Sequence, residues 1–135
     1  NNKTSYLAKE IKYLVLNKRQ IDENIKLNNF QVIDARGKKR FEGTEPEPRP
    51  GLKNGSIKNS KNLPFNECIN KFDHTFKGKD ELIKIFEHVG IRSDVQQVFT
   101  CGSGVTACIL AMANKIINDS NPIIYDGSWS EYGLK

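Results

Sequence analysis

Residues 98–115 read VFTCGSGVTACILAMANK, and no other stretch restricts the fold of this chain as much. An apolar run ends at Cys101. Gly-Ser-Gly follows, and then a long segment with apolar residues at most positions, which predicts a buried helix over 105–117. Gly102 and Gly104 can take backbone angles closed to other residues. They allow successive N–H groups to turn inward, while the helix adds the positive end of its dipole. A strand, a cysteine, a glycine-framed turn and a helix therefore make a cup for an anion with a sulfur at its centre. A thiol becomes a good nucleophile only once ionised, and such a cup favours the thiolate. Ser103 and Thr106 bring hydroxyl donors to the same space. The plainer alternative is a buried cysteine at a strand end beside an ordinary turn. The order of the parts favours the reactive loop.

The rest of the chain alternates strands with helices. Tyr13–Leu16 reads as a short strand. Asn17 is placed to cap a helix from Lys18 to about Leu27, with Ile21 and Ile25 on one face. Val32 and Ile33 read as a buried strand left by Asp34-Ala35-Arg36. Residues 61–65 predict a strand stopped by Pro64, and 66–71 a short helix. KDELIKIFEH (79–88) has helical spacing and is closed by Gly90. Residues 97–100 and 122–125 read as strands, and Ser128 opens a last helical turn carrying Trp129 and Tyr132. This alternation predicts an α/β fold with a mostly parallel sheet covered by helices on both faces. Ligands of such sheets bind beyond the carboxyl ends of the strands, where Cys101 sits.

Residues 37–56, GKKRFEGTEPEPRPGLKNGS, hold three prolines and four glycines, which exclude a helix interior or a central strand through most of their length. A loop this long in a compact domain points to function or disorder. It carries Arg40 and Arg49, two of only five arginines, and Pro46, Pro48 and Pro50 stiffen it around Arg49. A planar fork of donors suits a carboxylate or an α-keto acid. Glu42, Glu45 and Glu47 read as solvated loop charges or salt-bridge partners, and Arg36 as a structural residue tied to Asp34 or a backbone carbonyl.

Composition narrows the function classes. The chain has 135 residues, enough for one domain, and a net charge of +5 carried mainly by scattered lysines. Clustered Arg/Lys with aromatics between them is missing, which argues against a nucleic-acid surface. No apolar run is long enough to span a membrane. Cys68, Cys101 and Cys108 form an odd set without C-x-x-C, which argues against a disulfide framework or a zinc site and for a reducing, intracellular compartment. Cys68 and Cys108 read as core. His74 and His88 read as surface or helix-end residues. Three Asn-x-Ser/Thr triplets, at Asn2, Asn54 and Asn118, are read as chance in an Asn-rich chain. The start, NNKTSYLAKE, has neither methionine nor an apolar signal region, so the chain reads as a piece of something longer.

Two chemistries compete for an anion-binding cysteine loop. A phosphatase loop needs an arginine six positions after the cysteine to bind a phosphate dianion. Here that position is Ala107. A short, uncharged loop suits a smaller load, such as one sulfur atom. CGSGVTA at 101–107 resembles the active-site loop of the rhodanese-like sulfurtransferases, and within them the branch acting on 3-mercaptopyruvate. FQVIDAR (30–36), RFEGTEPEPRPGL (40–52) and YDGSWSEYG (125–133) agree in order and spacing. GSIKNSKNLPF (55–65) resembles a further family stretch but departs from it at Ser56 and at Lys58-Asn59.

The resemblance implies a five-stranded rhodanese domain over 30–135, preceded by a segment, 1–29, that supplies a linker and the early strand and helix. It also implies a missing upstream rhodanese-like domain that packs against the site. Cys101 would carry a persulfide, and the Gly102, Gly104, Val105 and Thr106 backbone would hold it. Ser103 would relay a proton, and Arg40 and Arg49 would bind the donor. The donor would be 3-mercaptopyruvate, with thiosulfate as the alternative, and the acceptor a thiol, thioredoxin or cyanide. No cofactor or metal is implied, because cysteine carries the sulfur covalently. The family's compartments are cytoplasm and mitochondria. Outside enzymes, the competing reading is a non-catalytic rhodanese-like binding module.

Overall fold

The computed structural model describes residues 4–135; Asn2 of the first triplet and the chain's first residues lie outside this range. Five strands, β1 (Val15–Leu16), β2 (Phe30–Asp34), β3 (Lys61–Asn62), β4 (Gln96–Thr100) and β5 (Ile124–Tyr125), form one sheet in the order β1-β5-β4-β2-β3. Every pairing is parallel. The helices are α1 (Lys18–Leu27), α2 (Lys38–Glu42), α3 (Lys79–Val89), α4 (Ala107–Asn118) and α5 (Ser128–Tyr132).

The two central strands show why both faces are covered. Val32 pairs with Val98 and Ile33 with Phe99, and successive side chains in a strand point to opposite faces. Val32 and Val98 join Ile21 of α1 with Tyr125 and Trp129 in one buried cluster. Ile33 and Phe99 join Leu82 and Phe86 of α3 and Leu110 and Ala111 of α4 in the other. Near-continuous apolar strands are what a doubly covered parallel sheet requires.

Element ends follow local chemistry. Asn17 and Gln20 form the reciprocal capping box that starts α1, each side chain accepting the other's backbone N–H, at 3.1 and 2.9 Å. Several expected boundaries shift. The helix expected from Val105 begins at Ala107, because 101–106 wrap around the sulfur before the chain turns helical. The strand expected over 61–65 is only Lys61–Asn62, and a 3₁₀ turn over Phe65–Cys68, opened by Pro64, replaces the helix expected at 66–71. The strands expected over 13–16 and 122–125 shorten to two residues each, at the edge and next to it. The stretch 37–56, expected to be irregular, opens with the five-residue helix α2, which fits between Gly37 and Gly43 ahead of the prolines. Gly43 has φ +76°, and a Cβ there would lie 3.0 Å from the Gly55 nitrogen, so the loop closes on itself only with glycine.

Cys68 is buried as expected, and burial pushes its thiol up to about 12. Cys108 is not core: it is exposed on the outer side of α4. Ala107, Leu110, Ala111 and Asn114 form the inward face of that helix, which leaves 108 and 112 outside. Val105, Met112 and Ile116 are exposed along with it.

Candidate active site

The register between β2 and β4 aligns Asp34 with Thr100, so the residues leaving the two strands emerge side by side. Here the strand order reverses direction in the sequence, the usual place for a binding crevice in a parallel sheet. A cavity of about 190 Å³ opens there, lined by Arg40, Glu47, Arg49, Cys101, Ser103 and Thr106, among others. Gly102 and Val105 also line it. Gly104 is buried in the turn beneath, with φ +84°; a Cβ there would lie 3.0 Å from the Asp126 carboxylate. A larger groove of about 890 Å³, between α2, α3 and the β3 edge, does not include Cys101 or any other cysteine.

Cys101 is 2% exposed. Burial alone would push its thiol up. The Thr106 hydroxyl and the backbone N–H groups of Ser103, Ala107 and Thr106 outweigh that and hold it below the ordinary thiol value. Thr106 stands at the N-cap of α4 yet makes no side-chain capping bond; its hydroxyl serves the sulfur instead. Ala107, the first residue of α4, thus adds its N–H to the cup, and Ser103 contributes through its backbone. Cys108, seven residues after Cys101, has a thiol that partial burial pushes up, with the Cys101 charge adding to the effect; it donates to the Gly104 carbonyl at 3.4 Å.

This contrast sets an expected result. With iodoacetamide, Cys101 reacts along a pH curve whose midpoint lies below that of an ordinary thiol, and Cys108 along one above it; site-resolved mass spectrometry separates the two. The same shift makes the fold gain stability as pH rises between the folded and the unfolded thiol pKa, because there the unfolded chain still holds the proton. A single shared midpoint for both cysteines would refute the cup.

The loop is held from behind by groups that sequence reasoning missed. The Cys101 N–H donates to the Ser128 hydroxyl oxygen at 3.1 Å, and that hydroxyl donates to the Tyr125 carbonyl at 2.9 Å. The N–H groups of Trp129 and Ser130 donate to the carbonyls of Cys101 and Gly102, both at 2.9 Å. These bonds turn the loop's carbonyls away from the sulfur and leave N–H groups facing it. Ser128 is fully buried with φ +49°, a conformation the surrounding bonds hold in place.

Arg36 is structural, as expected, and binds both Asp34 and a carbonyl. Its Nε lies 3.0 Å from Asp34 Oδ2, and its Nη2 lies 2.7 Å from that oxygen and 2.8 Å from the Gly55 carbonyl. The guanidinium also stacks on the Trp129 ring at 4.5 Å. Its Nη1 donates to Glu47 Oε1 at 2.7 Å. Glu47 in turn accepts from Arg40, through Nε at 3.2 Å and Nη2 at 2.5 Å. Glu47 is thus a salt-bridge partner, its side chain 2% exposed, whereas Glu42 and Glu45 are exposed. Burial opposes its ionisation, but the two guanidiniums hold it below the usual carboxylate range. Arg49 lies on the exposed side of the same cavity. His74 and His88 are both exposed, and neither lines it. Ala107, at the position where a phosphatase loop carries arginine, is buried in the core.

Among the described residues, no group of carboxylates, histidines and cysteines is arranged to hold a metal ion, and no helix is long and apolar enough to cross a membrane.

The model of the rhodanese-like domain matches residues 17–135. The chain is 44% identical over 120 residues to thiosulfate/3-mercaptopyruvate sulfurtransferase 2 of Arabidopsis thaliana, covering 89% of this chain and 35% of that protein. It is 38% identical over 115 residues to the 3-mercaptopyruvate sulfurtransferase of Homo sapiens, covering 85% and 38%. The crystal structure of SseA from Escherichia coli, a 3-mercaptopyruvate sulfotransferase with the rhodanese fold, superposes with a TM-score of 0.77 at 31% identity, covering 94% of this chain and 46% of that one. The chain spans about a third of the length of the curated relatives it matches. By the extent of the domain match, by these identities and by the parallel five-stranded sheet, the chain belongs to the rhodanese-like family.

Proposed function

We propose that this chain is the sulfur-carrying domain of a sulfurtransferase that uses 3-mercaptopyruvate. The observation that carries this reading is the lowered Cys101 thiol at the base of a small cavity that two arginines also line. The Cys101 thiolate attacks the thiol sulfur of the donor. The carbon–sulfur bond breaks, its electron pair passes to carbon, and the resulting enolate takes the proton that the transferred sulfur gives up and leaves as pyruvate. Ser103 lies on the cavity wall and relays that proton. Arg40 and Arg49 hold the carboxylate and keto oxygen. The persulfide anion left on Cys101 occupies the cup of N–H groups. An acceptor thiolate, from thioredoxin or a small thiol, then attacks the outer sulfur, and the electron pair of the S–S bond returns to Cys101; cyanide would serve in the same way.

Supporting this reading are the names of the relatives and the uncharged loop Gly102-Ser103-Gly104. Thiosulfate is the second donor to consider, since the Arabidopsis relative's name includes it. In the longer protein an upstream rhodanese-like domain would cover the cavity mouth, with residues 30–135 carrying the catalytic part of the domain and 1–29 supplying the linker and the domain's edge strand and first helix. One relative is mitochondrial by name, and a mitochondrial or cytoplasmic protein fits the free thiols.

The test is the intact mass of the protein after brief incubation with 3-mercaptopyruvate or with thiosulfate. A gain of about 32 Da on Cys101 with mercaptopyruvate is expected, together with one equivalent of pyruvate. No gain with either donor, in a protein that also carries the upstream domain, would leave the binding-module reading standing.

A further inference from the structure

The charges around Cys101 do not come from the two arginines alone. Arg36 and Asp34 pair behind the cavity, each side chain 1% exposed. Between that pair and the cavity stands Glu47, shared by Arg36 and Arg40 and closed off from water. The cavity lining therefore carries two guanidiniums, one carboxylate and, in the reactive form, the Cys101 thiolate. These formal charges sum to zero. Glu47 binds the Nε–Nη2 edge of Arg40, so that guanidinium offers an incoming anion only its remaining donors and a charge already offset. Arg49 is the cation of the lining whose charge this carboxylate does not offset. The low dielectric of a closed-off carboxylate makes that offset felt across the cavity.

We infer that Glu47 sets the charge selectivity of the site: by offsetting Arg40 it suits the cavity to a monoanion such as an α-keto carboxylate and disfavours a dianion such as thiosulfate. Glu47 does this as a positioning and electrostatic residue, not as an acid or base, since both of its oxygens are occupied by guanidinium donors. The inference rests on the reading of this cavity as the donor site.

The experiment compares wild type with Glu47→Gln by protection of Cys101 from iodoacetamide, using pyruvate as the monoanion and sulfate as the dianion at constant ionic strength. Wild type is expected to be protected by lower concentrations of pyruvate than of sulfate. In Glu47→Gln the half-protecting concentration of sulfate should fall about tenfold relative to that of pyruvate, the scale of one added charge at this range. The ratio of kcat/KM for thiosulfate to that for mercaptopyruvate should rise by a similar factor, and through KM. A purely structural role would weaken both anions alike. Glu47→Asp, which keeps the charge, should leave the preference as in wild type. Should Glu47→Gln not fold, Arg40→Gln moves the charge the other way and should penalise sulfate more than pyruvate. Equal effects on both anions, sulfate preference in wild type, or no protection by either anion would overturn the inference. Intact selectivity without any sulfur gain on Cys101 would count against the sulfur-transfer reading alone.

Discussion

Cys101→Ser will lose sulfur transfer by at least about a thousandfold and gain no sulfur mass from any donor, because the hydroxyl has neither the acidity nor the nucleophilicity to carry the atom. The expectation is specific because the substitution leaves the scaffold alone. The backbone bonds that hold residue 101 are its N–H to Ser128 and its carbonyl to Trp129, and neither involves sulfur. The unfolding midpoint should therefore stay near that of wild type, within about 1 kcal/mol. Measuring activity, donor-dependent mass and urea unfolding on the same preparation separates a lost nucleophile from a lost fold. Residual transfer above a tenth of wild type would mean that another group carries the sulfur; Cys108, exposed on α4, would then be the thiol to alkylate next.

The second large effect falls on stability. Arg36→Met should cost about 3–5 kcal/mol, the usual penalty for stranding buried charges by removing their partner. Two carboxylates bond to that guanidinium, Asp34 at 2.7 Å and Glu47 at 2.7 Å, with side chains 1% and 2% exposed; Glu47 keeps Arg40, whereas Asp34 loses the guanidinium it pairs with. Methionine keeps contact with the Trp129 ring but supplies no donor. For a domain of this size the melting temperature should fall by roughly 10–20 °C. The pH dependence gives a second handle. In wild type Arg36 is one of the two guanidiniums that hold Glu47 below the usual carboxylate range, a contribution to stability present above the unfolded carboxylate pKa and lost as pH falls. The variant keeps only the Arg40 part of it and so has less to lose in acid. The gap between variant and wild type should accordingly narrow as pH falls toward about 4. A loss below about 1 kcal/mol, or a gap that widens in acid, would show that the ion chain does not bear on the fold.

Much of the site could be read in the chain because its signals are local. Cys101, Gly102 and Gly104 lie within four residues of chain, and a strand–turn–helix pattern places them without tertiary information. The Asn17 cap and Gly90 stop are equally local and match the observed ends of α1 and α3. What escaped depends on pairings across the chain. Glu47 looks like one of three loop carboxylates until Arg36 and Arg40 are seen to close on it. Ser128 looks like a helix start until β5 is laid beside β4 and brings its hydroxyl under the Cys101 backbone. Cys108 reads as core from sequence because a helix that is apolar at most positions hides which face turns inward, and only packing against Leu82 and Phe99 settles it.

The all-parallel pairing of this sheet also makes the site depend on distant parts of the chain. Parallel neighbours cannot be joined by a tight turn, so β4 meets β2 and β5 only after long stretches of chain have been gathered in. The Thr106 and Ser103 donors are near Cys101 in sequence. The Ser128 and Trp129 bonds that orient the loop, and the guanidiniums from α2 and its following loop, arrive only with those distant pairings. The finished site is therefore a property of the whole sheet: the local donors stand beside the sulfur, but the bonds that orient their loop and the guanidiniums of the donor pocket exist only where all five strands are in register.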